Sequence, residues 1–216
     1  MSNELKKRIL SSILLTPLLL VIIIKGSIIF NLFLIIIFCV ILYEWYKISK
    51  ITTIYYLGIF FLIFSFYAIY NLRNYNNDYI NFLFVLIICI STDIGGYVFG
   101  KLFKGPKLTS ISPNKTYSGV LGGYLFSIAS VYFFFQQTFI FSEKKDIFFI
   151  TYIIVLLIST VSQLGDILVS YFKRLSKIKD TGNIIPGHGG LLDRADGMIF
   201  AFPFSYIILL INYKFF

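Results

Sequence analysis

Charge is scarce in this chain. Only 13% of its 216 residues are Asp, Glu, Lys or Arg, about half the ~25% usual in soluble domains. With 58% hydrophobic residues and a mean hydropathy of +0.85, an aqueous globular domain is excluded. Histidine is scarcer still: His188 is the only one, and no second His or Cys stands near it, so zinc is not assigned. The two cysteines, Cys39 and Cys89, lie inside apolar runs. They show neither metal spacing nor a disulfide pattern, and read as small buried or lipid-facing side chains. Strict apolar–polar alternation is also missing. The Ile, Leu and Phe residues come in long runs, which excludes a β-barrel. No internal repeat is visible. The net charge of +9 might point to nucleic acid, but the basic residues flank apolar blocks. Topology and contact with lipid headgroups or polyphosphate account for them, and no nucleic acid is expected.

What is present is a series of apolar blocks near the ~20 residues that cross a bilayer. Seven are read, over 9–24, 28–43, 54–72, 79–99, 119–135, 147–169 and 198–213. The expected fold is all-α, a polytopic transmembrane protein of about seven spans forming one integral-membrane domain, 1–216. Residues 1–88 supply N-terminal apolar helices and 89–200 the catalytic region. The start, Lys6-Lys7-Arg8 before an apolar block, is shaped like a signal peptide. No small-residue cleavage site follows, so an uncleaved first helix is expected, kinked at Pro17. Glu44-Trp45-Tyr46-Lys47 ends the second block, where aromatic rings suit the membrane interface. Gly119, Gly122 and Gly123 allow a close helix approach.

Placing the N-terminus in the cytoplasm puts 14 of the 19 Lys and Arg residues in cytoplasmic segments, leaving Lys25, Arg73, Lys144, Lys145 and Lys214 outside. That bias supports an N-inside topology. It places the polar loops 101–118 and 173–197 on the cytoplasmic side, where nucleotides are.

The charges that remain are concentrated. Of the 10 acidic residues, Asp166, Asp180, Asp193 and Asp196 stand in one stretch, interleaved with Lys173, Arg174, Lys177, Lys179 and Arg194. Asp193 and Asp196 are expected on one face of the first turn of a helix starting near Leu192. With Asp166 they make an oxygen-only set that suits a hard cation such as Mg²⁺, which keeps several waters and takes phosphate oxygens as further ligands. The bland alternative is that Asp193 and Asp196 cap a helix while Arg194 and Lys179 pair with them. Pro186-Gly187-His188-Gly189-Gly190 is a turn whose backbone N–H groups can approach phosphate oxygens. Ser112, Lys115 and Thr116 stand just before a glycine-rich helix start, a setting that suits phosphate but also describes an ordinary basic loop. Asp93 lies in an apolar run. Its cost at membrane depth, at least ~2.5–3.5 kcal/mol, favours a functional role over a merely structural hydrogen bond.

The stretch SYFKRLSKIKDTGNIIPGHGGLLDRAD resembles the signature of phosphatidate cytidylyltransferases, the CDP-diacylglycerol synthases. Ser170, Lys173, Arg174, Lys179, Asp180, Pro186, His188, Gly189, Gly190, Asp193, Arg194 and Asp196 fall on that pattern. Asp93, Gly96, Tyr97 and Gly100, then Ser112, Pro113, Lys115, Thr116, Gly119, Gly122 and Gly123, resemble it upstream. The resemblance covers roughly residues 90–200. Ser118 and Val169 stand where the family commonly has Glu, and Gly197 where it has Ser.

The resemblance implies transfer of CMP from CTP to phosphatidate, giving CDP-diacylglycerol and pyrophosphate. It implies Mg²⁺ on Asp166 and Asp193, in some members with a second cation such as K⁺. Lys173, Arg174, Lys179 and Arg194 then act on the phosphates. Asp93, Ser112, Lys115, Thr116, Asp180, His188, Gly189, Gly190 and Asp196 are expected to bind substrate. The enzyme would be multi-pass in a bacterial inner membrane with its site facing the cytoplasm; its oligomeric state, a homodimer included, is left open. Two other readings remain: a related CTP-dependent lipid or polyprenol kinase, and an ion-coupled transporter using Asp93 and Asp166. The missing repeats and paired broken helices weigh against the transporter.

Overall fold

Long runs of Ile, Leu and Phe have one backbone solution in hydrocarbon that satisfies every N–H and C=O within the segment, the α-helix. The computed structural model describes residues 17–49, 52–75, 79–109, 111–112, 115–138, 145–182, 184 and 189–211. Residues 17–25 are helical. Then come α1 (Ser27–Ile48), α2 (Thr52–Asn74), α3 (Ile80–Phe103), α4 (Tyr117–Thr138), α5 (Lys145–Leu175), α6 (Leu192–Ala195) and α7 (Met198–Leu210). Among the described residues there is no strand, only isolated bridges such as Lys107 with Thr116.

Among the described residues, five helices, α1 to α5, are long and apolar enough to cross a membrane. Large apolar side chains face outward along them, with Ile28 70% and Phe60 75% exposed. Helices that are apolar all round belong in lipid or a large core, and this is the construction of an integral membrane protein. Of the two remaining expected blocks, residues 9–16 of the first lie outside the described residues. The last gives α7, whose 13 residues reach about 20 Å at ~1.5 Å per residue, short of a ~30 Å hydrocarbon core.

The chain divides into two compact units. One comprises Met1–Tyr79 with Phe172–Ala195, the other Ile80–Tyr171 with Asp196–Phe216. In the first, α1 packs on α2 and touches α6. The buried positions Ile41, Glu44, Trp45 and Ile48 follow the i, i+3, i+4, i+7 spacing of one helix face. Trp45 is therefore not an interfacial anchor. Its ring packs edge-on against Phe172 at 5.4 Å, and its Nε1–H donates to Tyr55 O at 3.3 Å. Tyr46 and Lys47 are exposed. Arg73, at the end of α2, donates to the carbonyls of Ile23 and Ile24 at 3.1 and 3.3 Å. It thereby satisfies carbonyls at the end of helix 17–25 that lack intrahelical donors.

In the second unit α3 and α4 are the most closely packed pair. A Cβ on Gly95 would lie 2.7 Å from Phe126 Cβ and 2.8 Å from the Gly122 carbonyl carbon, whereas one on Gly96 would meet only Gly119 O at 3.6 Å. Hydroxyls tie the helices further. Ser130 donates to Ser91 at 2.9 Å, Thr92 to Ser159 at 2.8 Å, and Tyr124 pairs with Thr160 at 2.9 Å. Polar pairs of this kind hold membrane helices together. Gly95→Ala is expected to cost about 1–3 kcal/mol by forcing two backbones apart. Gly96→Ala should be neutral or slightly stabilising. Thermal midpoints in detergent distinguish the two, and equal midpoints would contradict this packing.

Candidate active site

Helix α5 runs beyond its apolar block. Val169, Ser170, Lys173 and Ser176 are buried, and their helical spacing carries the buried face past the expected end at Val169. The helix stops in a Schellman-type turn: Ile178 N–H bonds to Lys173 O and Lys177 N–H to Arg174 O, both at 3.0 Å. Lys177 takes φ +57° at the position usually held by glycine. Lys173 and Arg174 thus stand on a helix and not in a loop.

In the first unit, Lys173 meets the signature. Its Nζ lies 2.8 Å from Asp193 Oδ1, and the two side chains are only 11% and 9% exposed. Asp193 Oδ2 accepts from Thr181 N–H at 2.8 Å and from Gly190 N–H at 3.0 Å. Burial alone would raise the Asp193 carboxyl. The Lys173 hydrogen bond, the two backbone amides and the Lys173 charge outweigh it and hold the group below its ordinary 3.8.

A second carboxylate, missed in the sequence, sits beside this one. Glu44 of α1 is fully buried. It accepts from Thr181 Oγ1 at 2.7 Å, Leu191 N–H at 3.0 Å and Leu192 N–H at 2.7 Å. A Cβ on Gly190 would lie 2.7 and 2.8 Å from its two oxygens, so only glycine fits there. Gly189 has φ +86°. The signal for Glu44 was available: it shares the i, i+3, i+4, i+7 stripe with Ile41, Trp45 and Ile48.

In the second unit, Asp166 of α5 forms an ion pair with Lys115, whose Nζ is also 3.5 Å from Gln163 O. Leu108 N–H bonds to Lys115 O at 2.8 Å and Lys115 N–H to Ser112 O at 3.0 Å, which fixes the turn before α4. Ser112 N–H donates to Thr109 Oγ1 at 3.2 Å. Thr116 Oγ1 accepts from Gly119 N–H at 3.1 Å, a typical N-cap, and pairs with Ser118 Oγ at 2.9 Å. Asp93 is exposed on α3.

Asp193 and Asp196, expected on one face of the first turn of a helix starting near Leu192, are separated: Asp193 lies in α6, Asp196 follows it, and α7 starts at Met198. Asp196 Oδ1 accepts from Gly197 N–H at 3.0 Å. Gly197 is pressed against Ser162, where a Cβ would be 2.8 Å from the Ser162 carbonyl oxygen. The described ion pair of Asp193 is with Lys173, not with Arg194 or Lys179. Arg174, Lys179, Asp180 and Arg194 are exposed, and Arg174 donates to Ile178 O at 3.3 Å. His188 lies outside the described residues. Asp166 and Asp193 fall in different units.

Among the described residues, no three His, Cys, Asp or Glu are placed to hold a metal. Asp166 and Asp193 offer hard oxygens on separate carboxylates, each paired with a lysine ammonium, and one or two carboxylates fit a Mg²⁺ that keeps its waters and takes phosphate oxygens.

The sequence model of the Cytidylyltransferase family matches residues 51–212. The chain belongs to that family. It is 36% identical over 215 residues to a phosphatidate cytidylyltransferase of Rickettsia bellii (strain RML369-C), covering 95% of this chain and 91% of the relative. A phosphatidate cytidylyltransferase of Staphylococcus saprophyticus is 38% identical over 147 residues, 68% of this chain and 54% of that protein. One of Bacillus subtilis (strain 168) is 39% identical over 145 residues, 67% and 52%. Alignments with these last two thus span about half of the longer relatives. Both carboxylate–lysine pairs of this cytidylyltransferase-family chain lie inside the matched region, whereas Glu44 precedes it.

Proposed function

We infer that the chain transfers the cytidylyl group of CTP to phosphatidate, forming CDP-diacylglycerol and releasing pyrophosphate. What supports this most is the identity to the Rickettsia phosphatidate cytidylyltransferase along nearly the whole of both chains. A phosphate oxygen of phosphatidate attacks the α-phosphorus of CTP. The bond from that phosphorus to the bridging oxygen breaks, and its electrons leave with pyrophosphate. A phosphate monoester is already ionised at neutral pH, so a general base adds little. The obstacle is repulsion between two anions, and fixed positive charge lowers it.

Lys173, Arg174, Lys179 and Arg194 are proposed to screen the triphosphate and the departing pyrophosphate. Ser112, Lys115 and Thr116 are proposed to contact phosphate, and Asp93, Asp180, His188, Gly189, Gly190 and Asp196 to complete substrate binding. Asp166 and Asp193 are the proposed Mg²⁺ ligands. Bound there, the ion would act as a Lewis acid on phosphoryl oxygens. The proposed topology is multi-pass in a bacterial inner membrane with a cytoplasmic N-terminus. The positive-inside distribution supports it, and CTP then reaches the site from the cytosol.

The test is membranes containing the chain, supplied with phosphatidate and either α-labelled or γ-labelled CTP, with and without Mg²⁺. Label from the α-position should enter lipid as CDP-diacylglycerol, with pyrophosphate released only when Mg²⁺ is present. Label from the γ-position entering lipid, with CDP as co-product, would replace this reading with a lipid kinase.

A further inference from the structure

We propose that Glu44 is a positioning residue for this reaction: its buried carboxylate holds the chain on both sides of the signature turn, and so sets the place of Asp193. The proposal rests on the cytidylyltransferase reading for its catalytic part and on geometry for the rest. Glu44 is fully buried within the first unit, in a chain with only 10 acidic residues. A carboxylate kept out of water must be matched by donors. Those it takes are neither lysine nor arginine among its described partners. They are Thr181 Oγ1, Leu191 N–H and Leu192 N–H.

The groups flanking the turn are divided between two carboxylates. Thr181 gives its N–H to Asp193 Oδ2 and its hydroxyl to Glu44. Gly190 N–H goes to Asp193, and the next two amides, Leu191 and Leu192, go to Glu44. Moving Glu44 therefore displaces the same short segments that orient Asp193. With Oδ2 held by two amides, Oδ1 is the oxygen turned to Lys173. Gly182 and Gly190 complete the fit, since a Cβ on either would lie 2.8 Å from Glu44 Oε1. Outer partners that orient a working carboxylate typically cost about 10–100-fold in activity when removed.

Glu44→Gln is the direct probe. The amide has one accepting oxygen, so its NH₂ must face a donor. The expected result is a kcat about 10–100-fold lower per folded molecule, with the KM for phosphatidate within about twofold of wild type. Amide exchange should accelerate in peptides carrying Leu191 and Leu192. Thr181→Val removes one donor and leaves the Thr181 N–H to Asp193 in place. It should lower kcat about 2–10-fold, the worth of one hydrogen bond, and it serves as the deciding variant if Glu44→Gln does not fold. A purely structural Glu44 would reduce the amount of folded enzyme but leave kcat per folded molecule unchanged, and that result in both variants overturns the proposal. Unchanged exchange at Leu191 and Leu192 in Glu44→Gln also overturns it. If wild-type enzyme makes no CDP-diacylglycerol, the assigned reaction fails, while faster exchange in Glu44→Gln still supports the hold of Glu44 on the turn.

Discussion

Asp193→Asn and Asp166→Asn should each lower formation of CDP-diacylglycerol by on the order of 10²–10³-fold or more, the range seen when one strong electrostatic contact to the reacting groups is lost. Both substitutions keep the shape and remove the charge. At 193 the change goes further. Lys173 Nζ, Thr181 N–H and Gly190 N–H all donate to this one carboxylate, so a carboxamide must turn its own NH₂ toward at least one donor. At 166 the described partner is Lys115 alone, and the loss is closer to a pure loss of charge. Membrane insertion should be unaffected in both, because the spans depend on apolar length. If the two residues bind Mg²⁺, raising Mg²⁺ should recover part of the activity of Asp166→Asn. Full activity in either variant at ordinary Mg²⁺ would remove that residue from the metal site.

The largest effect on stability is expected from Lys173→Met. Its pair with Asp193 is nearly closed to solvent, and removing one partner of a buried pair costs about 3–5 kcal/mol because the remaining charge is left uncompensated. The pH dependence follows in sign. In the wild type the Asp193 carboxyl is held below 3.8. Its stabilising contribution is therefore complete above the unfolded value near ~3.9 and is lost as pH falls through the lower folded value. Without Lys173, burial acts with less opposition and the folded carboxyl rises. The gap between wild type and variant should then be widest near neutral pH and narrow on acidification toward pH ~4 and below. Thermal midpoints in detergent across that range measure it. Adding Asp193→Asn to Lys173→Met should recover part of the loss, because a neutral carboxamide oxygen can still accept from Thr181 and Gly190. A gap independent of pH would show that the Lys173–Asp193 charge pair is not its source.

Individual residues show where sequence reasoning reached and where it stopped. Where they are described, the apolar blocks became helices because a run of Ile, Leu and Phe satisfies its backbone internally whatever lies around it. Their ends were less visible. Helix α5 continues through Lys173 because Ser170, Lys173 and Ser176 extend its buried face, and a lysine on such a face reads as a loop signal when hydropathy is followed alone. Asp193 and Asp196 looked like one helical turn. The chain breaks between α6 and α7, where Gly197 is pressed against Ser162, a contact between residues far apart in sequence. Glu44 looked like part of an interfacial end because Trp45, Tyr46 and Lys47 follow it. Its spacing from Ile41 and Ile48 carried the opposite message.

By itself, then, the sequence determined the membrane class, the helical blocks and the signature that carries the family, since each depends on residues near one another or on summed hydropathy. Tertiary structure alone decided the partners: which lysine neutralises which aspartate, and that Glu44, 137 residues from Thr181, grips the chain beside the signature turn. The reason is physical. Several lysines and arginines stand near these acids along the chain, with similar charge and reach. A carboxylate in a dry interior bonds to the donors that packing brings within about 3 Å, and sequence separation puts no limit on which those are.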